Sequence, residues 1–107
     1  MSRLTTHVLD TLSGIPAAGV NIKLTRDAVI LGEFITNKDG RCERPILEHA
    51  PAGVYQLTFQ MGDYFRNHGI ESPFLDQVLI QFLISSGRDH HVPLVCSPYA
   101  YSTYRGS

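Results

Sequence analysis

The chain has 107 residues, 43% of them hydrophobic and 18% charged, with nine basic residues against ten acidic and a formal charge of -1. That balance describes a single folded domain over residues 1–107, long enough to bury roughly two-thirds of the surface its extended chain would expose. It gives no basis for a nucleic-acid or anionic-membrane partner, because no run of Lys/Arg with interleaved aromatics is present.

The opening "MSRLTTHVLD" lacks the continuous apolar core of a secretory leader. The apolar stretches "AVIL" and "VLIQFLI" are too short to span a bilayer. Two cysteines, Cys42 and Cys96, do not make a small-domain disulfide framework. Reduced thiols in a cytoplasmic protein are therefore expected rather than a Cys42–Cys96 bridge.

Along the chain the apolar period is two almost everywhere, the signature of half-buried strands. In "LTTHVLD", His7 shares a face with Thr5 and Leu9, opposite Leu4 and Val8. After the turn residues "SGIPAAG", the run "VNIKL" alternates Val20, Ile22 and Leu24 against polar neighbours. The turn "NKDG" is followed by Arg41, where a strand is expected to begin and its side chain to project sideways. After "APAG", the run "YQLTFQM" puts Tyr55, Leu57, Phe59 and Met61 on one face. "GDYFRNHGI" is the only helical stretch, two turns at most, with a glycine at each end. "VLIQFLI" has Val78, Ile80, Phe82 and Ile84 on one face and Leu79 and Leu83 on the other, which suggests cover on both sides, as at a subunit contact. "HVPLVCS" and "YAYSTYR" complete the C-terminal half as strands. Pro45 and Pro93 cannot donate to a ladder, so their strands are expected at edges or with bulges. The fold class is all-β, a sandwich of about seven or eight strands with one short helix.

Three residues can carry chemistry. His7 and His91 stand on strand faces, while His90 points away from its neighbour; Arg41 follows a tight turn. Periodicity alone leaves all three as background, since a lone strand histidine is usually a surface or hydrogen-bonded residue. His90 and His91 are adjacent on a strand and cannot chelate together. His7 with His91 lacks a Cys, Asp or Glu in motif spacing, so neither a metal nor a cofactor is expected. His49 and His68 read as exposed loop and helix residues.

"THVLDTLSGIPAAGV", "TNKDGR" and "HVPLVCSPYAYSTYRGS" together resemble the transthyretin-like family, in its 5-hydroxyisourate hydrolase branch. The terminal "YRGS" is that branch's hallmark, and the resemblance runs from Leu4 to Ser107. It implies His7, Arg41 and His91 as catalytic residues, with Tyr104 and Ser107 joining His7 and Arg41 in contacting substrate. Arg44 stands outside the motif and is the weaker alternative to Arg41. Many members read "HYHVPL" where this chain has "DHHVPL", so Asp89 alters the local charge. The resemblance also implies a homotetramer with pockets between dimers, Ser102 and Tyr104 facing the channel and Tyr101 and Thr103 turned away.

The implied reaction is hydrolysis of 5-hydroxyisourate to 2-oxo-4-hydroxy-4-carboxy-5-ureidoimidazoline in urate degradation. An imidazole with an ordinary pKa near 6.5 suits removal of a proton from water at neutral pH, and a guanidinium suits a developing oxyanion. Which histidine is the base stays open at this point. A non-catalytic carrier of the transthyretin type is the alternative, and a plain adhesion or scaffold sandwich is a third.

Overall fold

Leu4, Thr6, Val8 and Asp10 are buried while Thr5, His7 and Leu9 are half-buried, so the first strand presents one face to a core and offers the other for use. The computed structural model describes residues 2–85 and 87–106. Among these the elements run β1 (Leu4–Asp10), β2 (Ile15–Pro16), β3 (Asn21–Arg26), β4 (Val29–Ile35), β5 (Gly53–Gln60), α1 (Met61–Asn67), β6 (Gln77–Ile84), β7 (His90–Cys96) and β8 (Tyr101–Thr103). They form two four-stranded sheets, β2-β1-β7-β8 and β4-β3-β5-β6. The second sheet is antiparallel throughout; in the first, β1 lies parallel to β7. This is the expected all-β sandwich with one short helix.

The core lies between the sheets. Leu4, Val8, Leu24, Leu57, Phe59 and Leu94 are fully buried there, each burial worth about 1.5–3 kcal/mol. Every one falls on the face that alternation assigns. Cys96 is also buried, Cys42 is half-buried, and both thiols are free. Asp10 is buried too, and its carboxylate is satisfied locally. Oδ1 accepts the N–H groups of Leu12 and Ser13 at 2.9 and 3.2 Å, and Oδ2 accepts the Tyr64 hydroxyl at 2.9 Å.

Three expectations need correction. Met61 begins α1 instead of ending a strand, because Met61, Tyr64 and Phe65 form a buried i, i+3, i+4 stripe. No strand begins at Arg41. Residues 41–47 run along β1 as a loop that touches it through isolated bridges, His7 to Arg41 and Leu4 to Leu47. Pro93, finally, sits in an interior strand, between β1 and β8. Its missing N–H faces the β8 side, where pairing ends at Leu94 with Thr103 and resumes as a single bridge between His91 and Gly106. The Thr103 hydroxyl instead donates to the Pro93 carbonyl at 2.7 Å. The interruption leaves Tyr104 and Arg105 outside the ladder.

On β6, Val78, Ile80 and Ile84 are buried while Leu79 and Leu83 are 48% and 69% exposed. Among the described residues no helix is long and apolar enough to cross a membrane.

Candidate active site

The outer face of the first sheet gathers the polar residues that alternation leaves outside. In the parallel register Thr5 lies opposite His91 and His7 opposite Pro93. Partners in register share a face, so Thr5, His7 and His91 stand together on the side away from the core.

Arg41 is delivered by the turn before it. The Asn37 side-chain carbonyl accepts the N–H groups of Asp39 and Arg41 at 2.9 and 3.2 Å, and the Asn37 backbone carbonyl accepts that of Gly40 at 2.9 Å. The Gly40 carbonyl accepts the Val8 N–H at 2.8 Å and docks the turn on β1 beside His7. Gly40 has a φ of +74°, and a Cβ there would lie 2.4 Å from the Val8 carbonyl and 3.2 Å from the His7 ring. Only glycine gives both that backbone angle and that approach.

His91 and Arg41 line a cleft of about 380 Å³ together with Arg3, Thr5, Asp89 and His90. His7 stands one pleat along β1 from Thr5, paired with Arg41, and does not line this cleft itself. Burial holds His91 below the ordinary imidazole range, and the positive charges of Arg41 and then His7 push it the same way. His91 therefore feels the charges of both other expected catalytic residues. Asp89 accepts the Arg3 N–H at 3.0 Å, bringing a negative charge to the same cleft. Arg44 borders a neighbouring groove that shares Thr5 and Arg41 but contains neither His7 nor His91.

His90 is turned inward. Its Nε2 accepts the Ser85 N–H at 3.3 Å and its Nδ1 lies 3.0 Å from the Arg88 carbonyl oxygen, so both ring nitrogens hold the turn before β7. His49 is exposed, and His68 closes α1 with Nδ1 2.8 Å from the Tyr64 carbonyl oxygen. Among the described residues no group of three His, Cys, Asp or Glu side chains is arranged to hold a metal ion.

The C-terminal segment meets His91 directly. The Gly106 N–H donates to the His91 carbonyl at 2.8 Å. A Cβ on Gly106 would lie 2.5 Å from His91 Cδ2, so the segment approaches this closely only because it carries no side chain there. In the strand register Ser102 pairs with Val95 on the outer face, while Tyr101 and Thr103 pair with the core-facing Cys96 and Leu94. Tyr104 is 61% exposed and lines a second opening, of about 240 Å³, that shares His90 and His91 with the cleft. Ser107 lies outside the described residues.

Sequence reasoning did not single out Thr5, Gly40 or Gly106 as parts of the site. Thr5 Oγ1 lies 2.8 Å from His91 Nδ1, a hydrogen bond between residues 86 apart in the chain. The available signals were the shared face of Thr5 with His7 and the glycine next to each motif arginine.

Comparison with known proteins places the whole chain among relatives of one family. The chain is 51% identical to the 5-hydroxyisourate hydrolase of Pseudomonas aeruginosa, covering all of this chain and 93% of that protein. It superposes on the structure of Klebsiella pneumoniae 5-hydroxyisourate hydrolase with a TM-score of 0.91 and 40% identity, covering all of both chains. It also resembles sea bream transthyretin in complex with thyroxine, with a TM-score of 0.87 and 29% identity over 97% of this chain and 94% of that one. The family model described as HIUase/Transthyretin family matches residues 4–106, and the chain belongs to that family.

Proposed function

We propose that this chain hydrolyses 5-hydroxyisourate, opening its six-membered ring at a cyclic amide, and that His7, Arg41 and His91 carry the reaction. The observation that carries the reading is that register sets His7 and His91 on one face of the first sheet, with the Arg41 loop bridged to His7. The full-length likeness to hydrolases of that name supplies the substrate. Water adds through oxygen to the ring carbonyl carbon while an imidazole takes its proton. The carbonyl oxygen gains negative charge, which the Arg41 guanidinium stabilises with its forked N–H donors. The carbon–nitrogen bond then breaks, the nitrogen leaves with the proton that the imidazole took from water, and the new carboxyl group releases the second water proton to become a carboxylate.

Tyr104 and Ser107 contact substrate in this proposal. Pairing on either side, Leu94 with Thr103 and His91 with Gly106, supports Tyr104 on the outer face opposite Pro93. The assembly is a cytoplasmic homotetramer of single-domain subunits with sites between dimers. The exposed outer-face leucines Leu79 and Leu83 and the free edges of β6 and β8 support it.

The test is the decay of freshly generated 5-hydroxyisourate followed by absorbance, for the wild type and for His7→Ala, Arg41→Ala and His91→Ala. Each folded variant is expected to lose about 10²-fold or more, the usual effect of removing a general base or an oxyanion donor. A protein that binds the compound without speeding its decay is a carrier, and the hydrolase reading falls. A folded variant with near-native turnover removes that residue from the catalytic set.

A further inference from the structure

A neutral imidazole has one N–H and one lone pair, and the partner of one nitrogen decides which of them the other nitrogen offers. His91 has such a partner. Thr5 Oγ1 lies 2.8 Å from His91 Nδ1. A threonine hydroxyl has a single proton to donate. The next residue shows one way to use it, since Thr6 donates to the Val92 carbonyl at 2.7 Å. Among the described residues Thr5 Oγ1 has no hydrogen-bond partner besides His91 Nδ1. The hydroxyl proton is thus free of any other acceptor among those residues and available to the imidazole.

We propose that Thr5 is a positioning residue whose hydroxyl donates to His91 Nδ1, holding His91 as the Nε2–H tautomer with that N–H presented to substrate. This rests on reading His91 as part of the active site and adds a division of labour between the two histidines. With Nδ1 occupied as an acceptor and Nε2 protonated, neutral His91 has no lone pair free to deprotonate water. The base is then His7, which takes the water proton as oxygen bonds to the carbonyl carbon. His91 keeps its own proton and donates a hydrogen bond, with Arg41, to the oxygen that gains charge.

Two further features fit. Burial and the neighbouring charges favour the neutral ring at His91, the form in which one nitrogen accepts and the other donates. The Gly106 backbone passes on the Cδ2 side, opposite the nitrogen that Thr5 holds, where an added Cβ would lie 2.5 Å from Cδ2. The charged or titratable side chains lining the cleft with it are Arg3, Arg41, Asp89 and His90, and His7 adjoins them.

The test combines nitrogen NMR of histidine-labelled protein with kinetics of Thr5→Val and Thr5→Ser. Valine keeps the shape and strand propensity of threonine and removes the hydroxyl; serine restores it. In the wild type His91 is expected to show an unprotonated Nδ1 and a protonated Nε2. Thr5→Val is expected to populate both tautomers and lower kcat by about tenfold, the upper range for one hydrogen bond, with KM nearly unchanged. Thr5→Ser is expected to recover most of that loss. A wild-type His91 protonated on Nδ1 overturns the proposal, and so does a folded Thr5→Val with wild-type kcat. Should Thr5→Val fail to fold, the wild-type tautomer alone decides. Full activity in His91→Ala defeats the active-site reading instead, so the two failures are distinguishable.

Discussion

Gly106 offers a clean perturbation because its replacement changes one atom and no backbone preference. Its φ lies outside the left-handed region, so alanine is conformationally acceptable there. The new methyl group, however, would meet His91 Cδ2 at 2.5 Å, Cγ at 3.1 Å and Cβ at 3.2 Å, where ordinary contact begins at 3.4 Å. Either the ring or the C-terminal segment must yield by about 0.9 Å to relieve the shortest contact, and a misplacement of about 1 Å at reacting groups can cost on the order of 10² in rate. Gly106→Ala should therefore lower kcat/KM for 5-hydroxyisourate by about 10²-fold. Its unfolding midpoint should fall little, because the contact is made near a chain end outside the core. The assay is absorbance decay beside urea unfolding followed by far-UV circular dichroism. A stable Gly106→Ala protein with kcat/KM within a few-fold of wild type would show that this contact does not set the ring's position.

Other outcomes follow from the same geometry. His91 is held below its ordinary range by burial and then by Arg41 and His7, so its neutral form persists below pH 6.5. The unfolded chain then binds more protons than the folded one in that window. The stability that neutral His91 contributes is fully present above pH 6.5 and is lost as pH falls through the folded-state value. Arg41→Gln should move the His91 midpoint up toward 6.5 in an NMR titration, and a midpoint that stays or falls contradicts the assigned cause. Tyr64→Phe removes the hydroxyl that donates to buried Asp10 and should cost about 1.5–3 kcal/mol by urea unfolding. Its turnover per folded molecule should stay at the wild-type level, since Asp10 faces the core and Thr5 and His7 face outward.

Much of the fold was legible because alternation reports which face is dry. Val8, Leu24, Leu57 and Phe59 are buried as their spacing requires. The period says less about which strands become neighbours, and there the reading missed. Pro93 was expected at an edge or a bulge, but its missing donor falls where the ladder to β8 is interrupted, which an interior strand tolerates. The stretch from Arg41 follows a tight turn, where a strand is expected to begin; it is a loop braced by isolated bridges. His7, Arg41 and His91 were found through family motifs, since local pattern left each of them ordinary. Thr5 was hidden because its partner is set by the parallel pairing of β1 with β7, which no local spacing encodes.

That parallel pairing also governs when the protein becomes competent after denaturation. The β3–β4 hairpin joins its strands through the two residues Asp27 and Ala28, so it can close quickly. The hydrogen bond from Thr5 to His91 must instead bridge 86 positions, and ordering so long a loop is entropically costly before any contact rewards it. On dilution from urea, recovery of turnover should lag the early appearance of strand signal, making regained catalysis a clock for the pairing of β1 with β7.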